Sequence, residues 1–115
     1  MSITRRELEP ILANVVEANG LIYIAGALAD DTSQDVTGQT RQAFADVDRY
    51  LAMCGSDKSK IVSATIYVAD IRLRDAINVA WLEWIDPKNL PARACIEMKM
   101  ADPRCLVEIQ FVASK

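Results

Sequence analysis

The stretch Pro91–Ala113, P-A-R-A-C-I-E-M-K-M-A-D-P-R-C-L-V-E-I-Q-F-V-A, decides how this chain folds. It holds two strand-like runs, Arg93 to Met100 and Cys105 to Ala113, joined by Ala101-Asp102-Pro103-Arg104. Asp and Pro within four residues are turn chemistry, so the runs are expected to pair as a hairpin. A regular hairpin matches Met100 with Cys105, Glu97 with Glu108, Cys95 with Gln110 and Arg93 with Val112. Facing carboxylates repel. One of the two glutamates is then expected to hold a proton near neutral pH, as a general acid or base must, unless a β-bulge parts them. In the same register Arg93 stands ~13 Å along the strand from Glu108, too far for an ion pair within one chain. Its partner is then solvent, another subunit or a bound anion.

The rest of the chain supplies the other layers. Leu21 to Gly26 is short, apolar and partly β-branched, and Asn14 to Ala18 precedes it across Asn19-Gly20, the dipeptide that most favours a two-residue hairpin. Arg5 to Pro10 reads as a further edge strand, with proline suited to its end. Ala27 to Gly38 is turn-rich. From Gln39 to Met53, Phe44, Val47, Leu51 and then Cys54 recur at three and four residues, which predicts a helix ended by Gly55. Ile61 to Ala69 alternates as a strand, with Val62, Ala64, Ile66 and Val68 on one face. Asp70 is placed as an N-cap, and Leu73, Ile77, Trp81 and Trp84 mark a second apolar helix face before Pro87. The expected fold is α+β: one sheet of five to six strands with two helices on one side, as a single domain over residues 1–115.

Composition narrows the chemistry. The chain has 115 residues, of which 51% are hydrophobic, enough for one modest core. No run approaches the length of a membrane span, and the N-terminus lacks the apolar core of a secretory signal. A net charge of −3 argues against nucleic acid as a partner. There is no histidine, which removes Ser-His-Asp and Cys-His sites and the commonest zinc ligand, and no metal or cofactor is expected. Cys54, Cys95 and Cys105 form no C-x-x-C pair, and their odd number reads as reduced thiols in a cytoplasmic protein.

Period-2 alternation assigns Ala94, Ile96, Met98 and Met100 to the helix-covered face. Ser63, Thr65, Tyr67, Arg93, Cys95, Glu97, Glu108 and Gln110 then share the other face. Two short helices cannot cover both sides of the sheet. The polar side, mixed with Cys and Tyr, is expected to meet water or another copy of the chain, and a homo-oligomer is the reading adopted.

Arg93 as a planar fork suits a small acid, because a guanidinium holds a carboxylate through two charge-assisted hydrogen bonds. Glu108 or a backbone carbonyl beside it could orient a water. Attack on a C=N carbon needs little beyond positioning and proton transfer, so neither metal nor histidine is required.

Five segments together resemble one family: G-L-I-Y-I-A-G at Gly20–Gly26, I-V-S-A-T-I-Y-V-A-D at Ile61–Asp70, I-N-V-A-W at Ile77–Trp81, P-A-R-A-C-I-E at Pro91–Glu97 and V-E-I at Val107–Ile109. This is similar to the RidA/YjgF/YER057c/UK114 family, also described as endoribonuclease L-PSP, over nearly the whole chain. The resemblance implies a chorismate-mutase-like fold and a homotrimer with ligand clefts between subunits. It also implies deamination of 2-imino and 2-enamino acids to 2-oxo acids and ammonia. By the same resemblance Arg93 binds the substrate carboxylate, Glu108 helps place the water, the backbone of Cys95 lies at that water, and Asn78 lines the site.

Two positions depart from the family pattern. Leu12 stands where family deaminases carry a tyrosine, and Ala25 where they carry a serine before the glycine. Both line the implied site, which is therefore expected to be more apolar. The alternatives are a non-catalytic binder of small carboxylates in the same cleft and, following the family's older description, an RNA-cleaving protein.

Overall fold

The computed structural model describes residues 2–115. Six strands and two α-helices follow in the order β1 (Ile3–Leu8), β2 (Ala13–Ala18), β3 (Leu21–Ala27), α1 (Val36–Met53), β4 (Ile61–Val68), α2 (Arg74–Trp84), β5 (Ala92–Glu97) and β6 (Val107–Ser114). The first three strands form an antiparallel meander. Asn19 (φ 55°) and Gly20 (φ 76°) both adopt left-handed backbone, as a tight hairpin turn requires, and set Ala18 opposite Leu21.

α1 begins three residues earlier than its apolar periodicity suggests. Asp35 caps it by accepting the Gly38 N–H at 2.9 Å, and a first turn containing Thr37 and Gly38 has weak helix propensity of its own. Phe44, Val47 and Leu51 of α1 and Ile77, Ala80 and Trp81 of α2 are buried against Ile22, Ile24, Ile66, Ile109 and Phe111 of the sheet. Each such large side chain contributes roughly 1.5–3 kcal/mol by leaving water. Phe44 stacks on Trp84 with ring centroids 4.1 Å apart. The two helices therefore share one core on one face of the sheet.

The strand order is β1-β2-β3-β6-β4-β5, and it overturns the expected hairpin. β6 lies between β3 and β4, antiparallel to both, while β5 pairs in parallel with β4 alone. Glu97 and Glu108 are thus not cross-strand neighbours, and the geometric reason for a shared proton disappears. The cause is local. β5 ends at Glu97, and segment 98–106 carries the chain past the end of β4. There Met98 N–H donates to Val68 O and Ala69 N–H donates to Leu106 O. The Asp102–Arg104 turn closes on itself, with Cys105 N–H donating to Asp102 O, and no strand pairing grows from it.

The faces of two strands also differ from expectation. Ala64, Ile66 and Val68 are directly opposite Arg93, Cys95 and Glu97, so those three side chains stand on the helix side at the sheet edge. Ala92, Ala94 and Ile96 share the open face instead. Val62 is 47% exposed because a register shift between Ile61 and Ser63 turns it outward. The open face carries Tyr23, Val112, Ser63, Thr65, Tyr67, Glu108 and Gln110, and neither helix covers it.

Candidate functional site

Arg93 sits on the edge strand, under the last turns of α2. Its guanidinium carbon lies 4.8 Å from the centroid of the Trp81 ring, and its Nη2 donates to Asn78 Oδ1. Asn78 and Trp81 are three residues apart on one helix, hence on one face. The residue as a whole remains exposed, yet partial burial of the charge under α2 pulls the guanidinium pKa down from its ordinary value, with a smaller push from Arg74. It stays protonated across the physiological range. Among the described residues no carboxylate forms a salt bridge with Arg93, so its charge is held by neutral groups. Half-buried Cys95 is two residues further along β5 on the same face.

Glu108 belongs to a different neighbourhood. It stands on the open face of β6, opposite Tyr67 and packed against Gly26. A Cβ built on Gly26 would lie 2.7–2.8 Å from the Glu108 carboxyl carbon, Cγ and one oxygen, so the glycine leaves room for that side chain. The strand bulges here: Ile24 faces Phe111 and Ala27 faces Ile109, leaving both Ala25 and Gly26 to oppose Gln110. Leu12, 40% exposed, immediately precedes β2 at the end of the meander where β3 carries Ala25.

The expected site residues therefore fall into two groups. Arg93, Asn78 and Cys95 meet at the β5 edge on the helix side, and Glu108 lies on the open face against Gly26, beside Ala25 in the β3 bulge, with Leu12 just before β2. β4 separates the groups. Arg93 and Glu108 are two strands apart, about 10 Å across the sheet, and three residues, about another 10 Å, apart along it, on opposite faces. No in-chain salt bridge joins them, and the reason is topology rather than the hairpin register.

Sequence reading treated Trp81 as core, and it is buried, but its ring face also carries Arg93. The signal was present in the Asn78-to-Trp81 spacing. Gly26 had a signal too, as a glycine inside a strand. A concavity of about 510 Å³ lies elsewhere, lined by Glu97, Met98, Lys99, Met100 and Cys105 among others, and contains neither Arg93 nor Glu108. Among the described residues no cluster of three or more His, Cys, Asp or Glu could hold a metal ion. No helix there is long and apolar enough to cross a membrane.

Fold and site together define a small α+β domain with a cationic edge and a carboxylate on the opposite sheet face. The family model for endoribonuclease L-PSP matches residues 7–115. A RutC family protein of Haemophilus ducreyi is 40% identical over 97% of this chain and 96% of its own length. The RutC family protein YoaB of Escherichia coli is 33% identical over 99% of each. The structure of NMB1025, a YjgF family protein of Neisseria meningitidis, superposes with a TM-score of 0.95 at 36% identity, covering 100% of this chain and 96% of that one. YyfA of Yersinia pestis, of the conserved Rid protein family, gives 0.90 at 25% identity over 99% and 100%. This chain belongs to the endoribonuclease L-PSP family, the RidA/YjgF group.

Proposed function

We propose that the chain hydrolyses reactive 2-imino and 2-enamino acids, releasing a 2-oxo acid and ammonia, in clefts between the copies of a cytoplasmic homotrimer. The observation that carries the reading is Arg93, a charged fork held at a sheet edge by a neutral amide and an aromatic face. Among the described residues no carboxylate forms a salt bridge with it, and a carboxylate is the group a guanidinium fork fits. Asn78 commits its Oδ1 to Arg93, so its Nδ2 is the atom left to serve a ligand, as a donor. Two copies are required because Glu108 faces away from Arg93 in its own chain, while the open sheet face supplies a surface for a second copy.

The chemistry follows from these groups. Arg93 binds the carboxylate next to the C=N carbon, each charge-assisted hydrogen bond contributing ~1.5–3 kcal/mol. Glu108 of the adjoining copy orients a water and takes its proton as the oxygen adds to the imine carbon. The resulting amino alcohol receives that proton on nitrogen, its C–N bond breaks as the hydroxyl proton returns to Glu108, and ammonia and the 2-oxo acid leave. Three free cysteines with no disulfide among the described residues agree with a reducing compartment.

The test is to generate 2-iminobutanoate enzymatically while semicarbazide competes for it. Wild-type chain should lower semicarbazone formation, and Arg93→Ala should not. Equal traces with and without wild-type protein would refute deamination of that substrate. A second reading, a non-catalytic binder of small carboxylates, is favoured by Leu12 and Ala25, which offer a ligand no hydroxyl. Thermal stabilisation by 2-oxo acids without imine hydrolysis would select it. RNA cleavage has the least support, since the chain is acidic and lacks histidine.

A further inference from the structure

We propose that Trp81 is a positioning residue for Arg93, its ring face setting the plane in which the guanidinium meets a ligand carboxylate; this rests on the reading of Arg93 as a carboxylate anchor. A separation of 4.8 Å from ring centroid to guanidinium carbon falls inside the range of cation–π attraction. The platform itself is fixed. Trp81 is only 5% exposed, and its ring packs against the stacked pair Phe44 and Trp84, at 6.0 and 6.1 Å, which holds it in place beneath the arginine.

The two contacts on Arg93 are complementary. Trp81 offers its ring face to the guanidinium carbon, and Asn78 accepts from Nη2. Together they restrict a long side chain on a strand with a single neighbour. Only one of the five N–H groups is consumed, which leaves four for a ligand. Neither contact is negatively charged, so the full cation remains for an incoming acid. A lysine could not exploit this arrangement, because its ammonium is a compact point charge with no plane to stack.

The experiment uses the full chain with 2-oxobutanoate as probe, titrated by calorimetry. Trp81→Leu and Trp81→Phe are compared in the wild-type and Arg93→Lys backgrounds, with thermal melts to confirm folding. In the wild-type background Trp81→Leu should weaken binding about tenfold. Trp81→Phe, which restores an aromatic face, should recover most of that loss. In the Arg93→Lys background the leucine substitution should change binding by less than about twofold, because an ammonium has no plane for the ring to orient. Imine hydrolysis by Trp81→Leu should show KM raised by the same factor with kcat unchanged. Equal weakening in both backgrounds, or none in either, would overturn the proposal and leave Trp81 as core. No binding of 2-oxobutanoate by wild type would overturn it together with the anchor role of Arg93. The expected pattern without imine hydrolysis would refute deamination alone. Should Trp81→Leu fail to fold, Trp84→Phe leaves Trp81 as the sole tryptophan. Its emission should respond to 2-oxobutanoate only when residue 93 is arginine, and an unresponsive indole would count against the proposal.

Discussion

Arg93 shows how far single residues could be read. Its residue type and register left solvent, another subunit or a bound anion as its partner, and among the described residues no carboxylate forms a salt bridge with it. Its surroundings were not legible, because they come from α2, twelve and fifteen residues upstream, and depend on β5 being an edge. Gly26 is the matching case on the open face. Its value lies in the Glu108 carboxyl that would collide with any Cβ there. The atoms that would collide belong to a flexible side chain, so Gly26→Ala should keep the fold at a cost below about 1 kcal/mol. It should nonetheless swing Glu108 away and lower kcat for imine hydrolysis by about tenfold or more. Parallel melting curves and rate assays on the two chains would check this, and an unchanged kcat would remove Glu108 from the mechanism.

At the scale of elements, local patterns were legible and long-range pairing was not. The Asn19-Gly20 turn, both apolar helix faces and the strand at Leu21 follow from rules acting within a few residues. The place of β6 between β3 and β4 does not, since nothing in a strand's own sequence names its neighbours. Ala101–Arg104 reads as a hairpin turn because its residues do make a turn, but that turn lies in a crossing segment. What holds the segment is Gln39, a fully buried amide. Its Nε2 lies 3.2–3.3 Å from the carbonyls of Thr32, Gln34 and Arg104, and its Oε1 accepts from Leu106 N–H at 2.9 Å. Sequence periodicity saw only a helix start there. Gln39→Leu fills the same space but strands these groups, so it should cost about 2–4 kcal/mol. It should also expose 98–106 to limited proteolysis. Urea titration and peptide mapping would show both effects, and a loss below 0.5 kcal/mol, roughly the scale of a surface change, would mean the network carries no stability.

At the scale of the whole molecule, the sequence indicated an uncovered sheet face, and the structure has one. The face's membership differed on β5, where the helix side holds the arginine and the open side holds Ala92, Ala94 and Ile96. That division has a consequence for counting. If Arg93 of one copy works with Glu108 of the next, each chain carries one of each half, and the contact between copies is head to tail. An isolated pair then completes a single site, and only a closed ring completes as many sites as it has members. Arg93→Ala and Glu108→Gln chains should each be inactive alone. Unfolded together in equal amounts and refolded, they should regain about a quarter of wild-type activity, half the arginines being intact and half of those meeting an intact glutamate. Activity that stays absent in the mixture would mean that both residues serve a site within one chain. In such a ring catalysis belongs to junctions rather than to subunits, so a chain that loses both residues spoils two sites while leaving its neighbours folded.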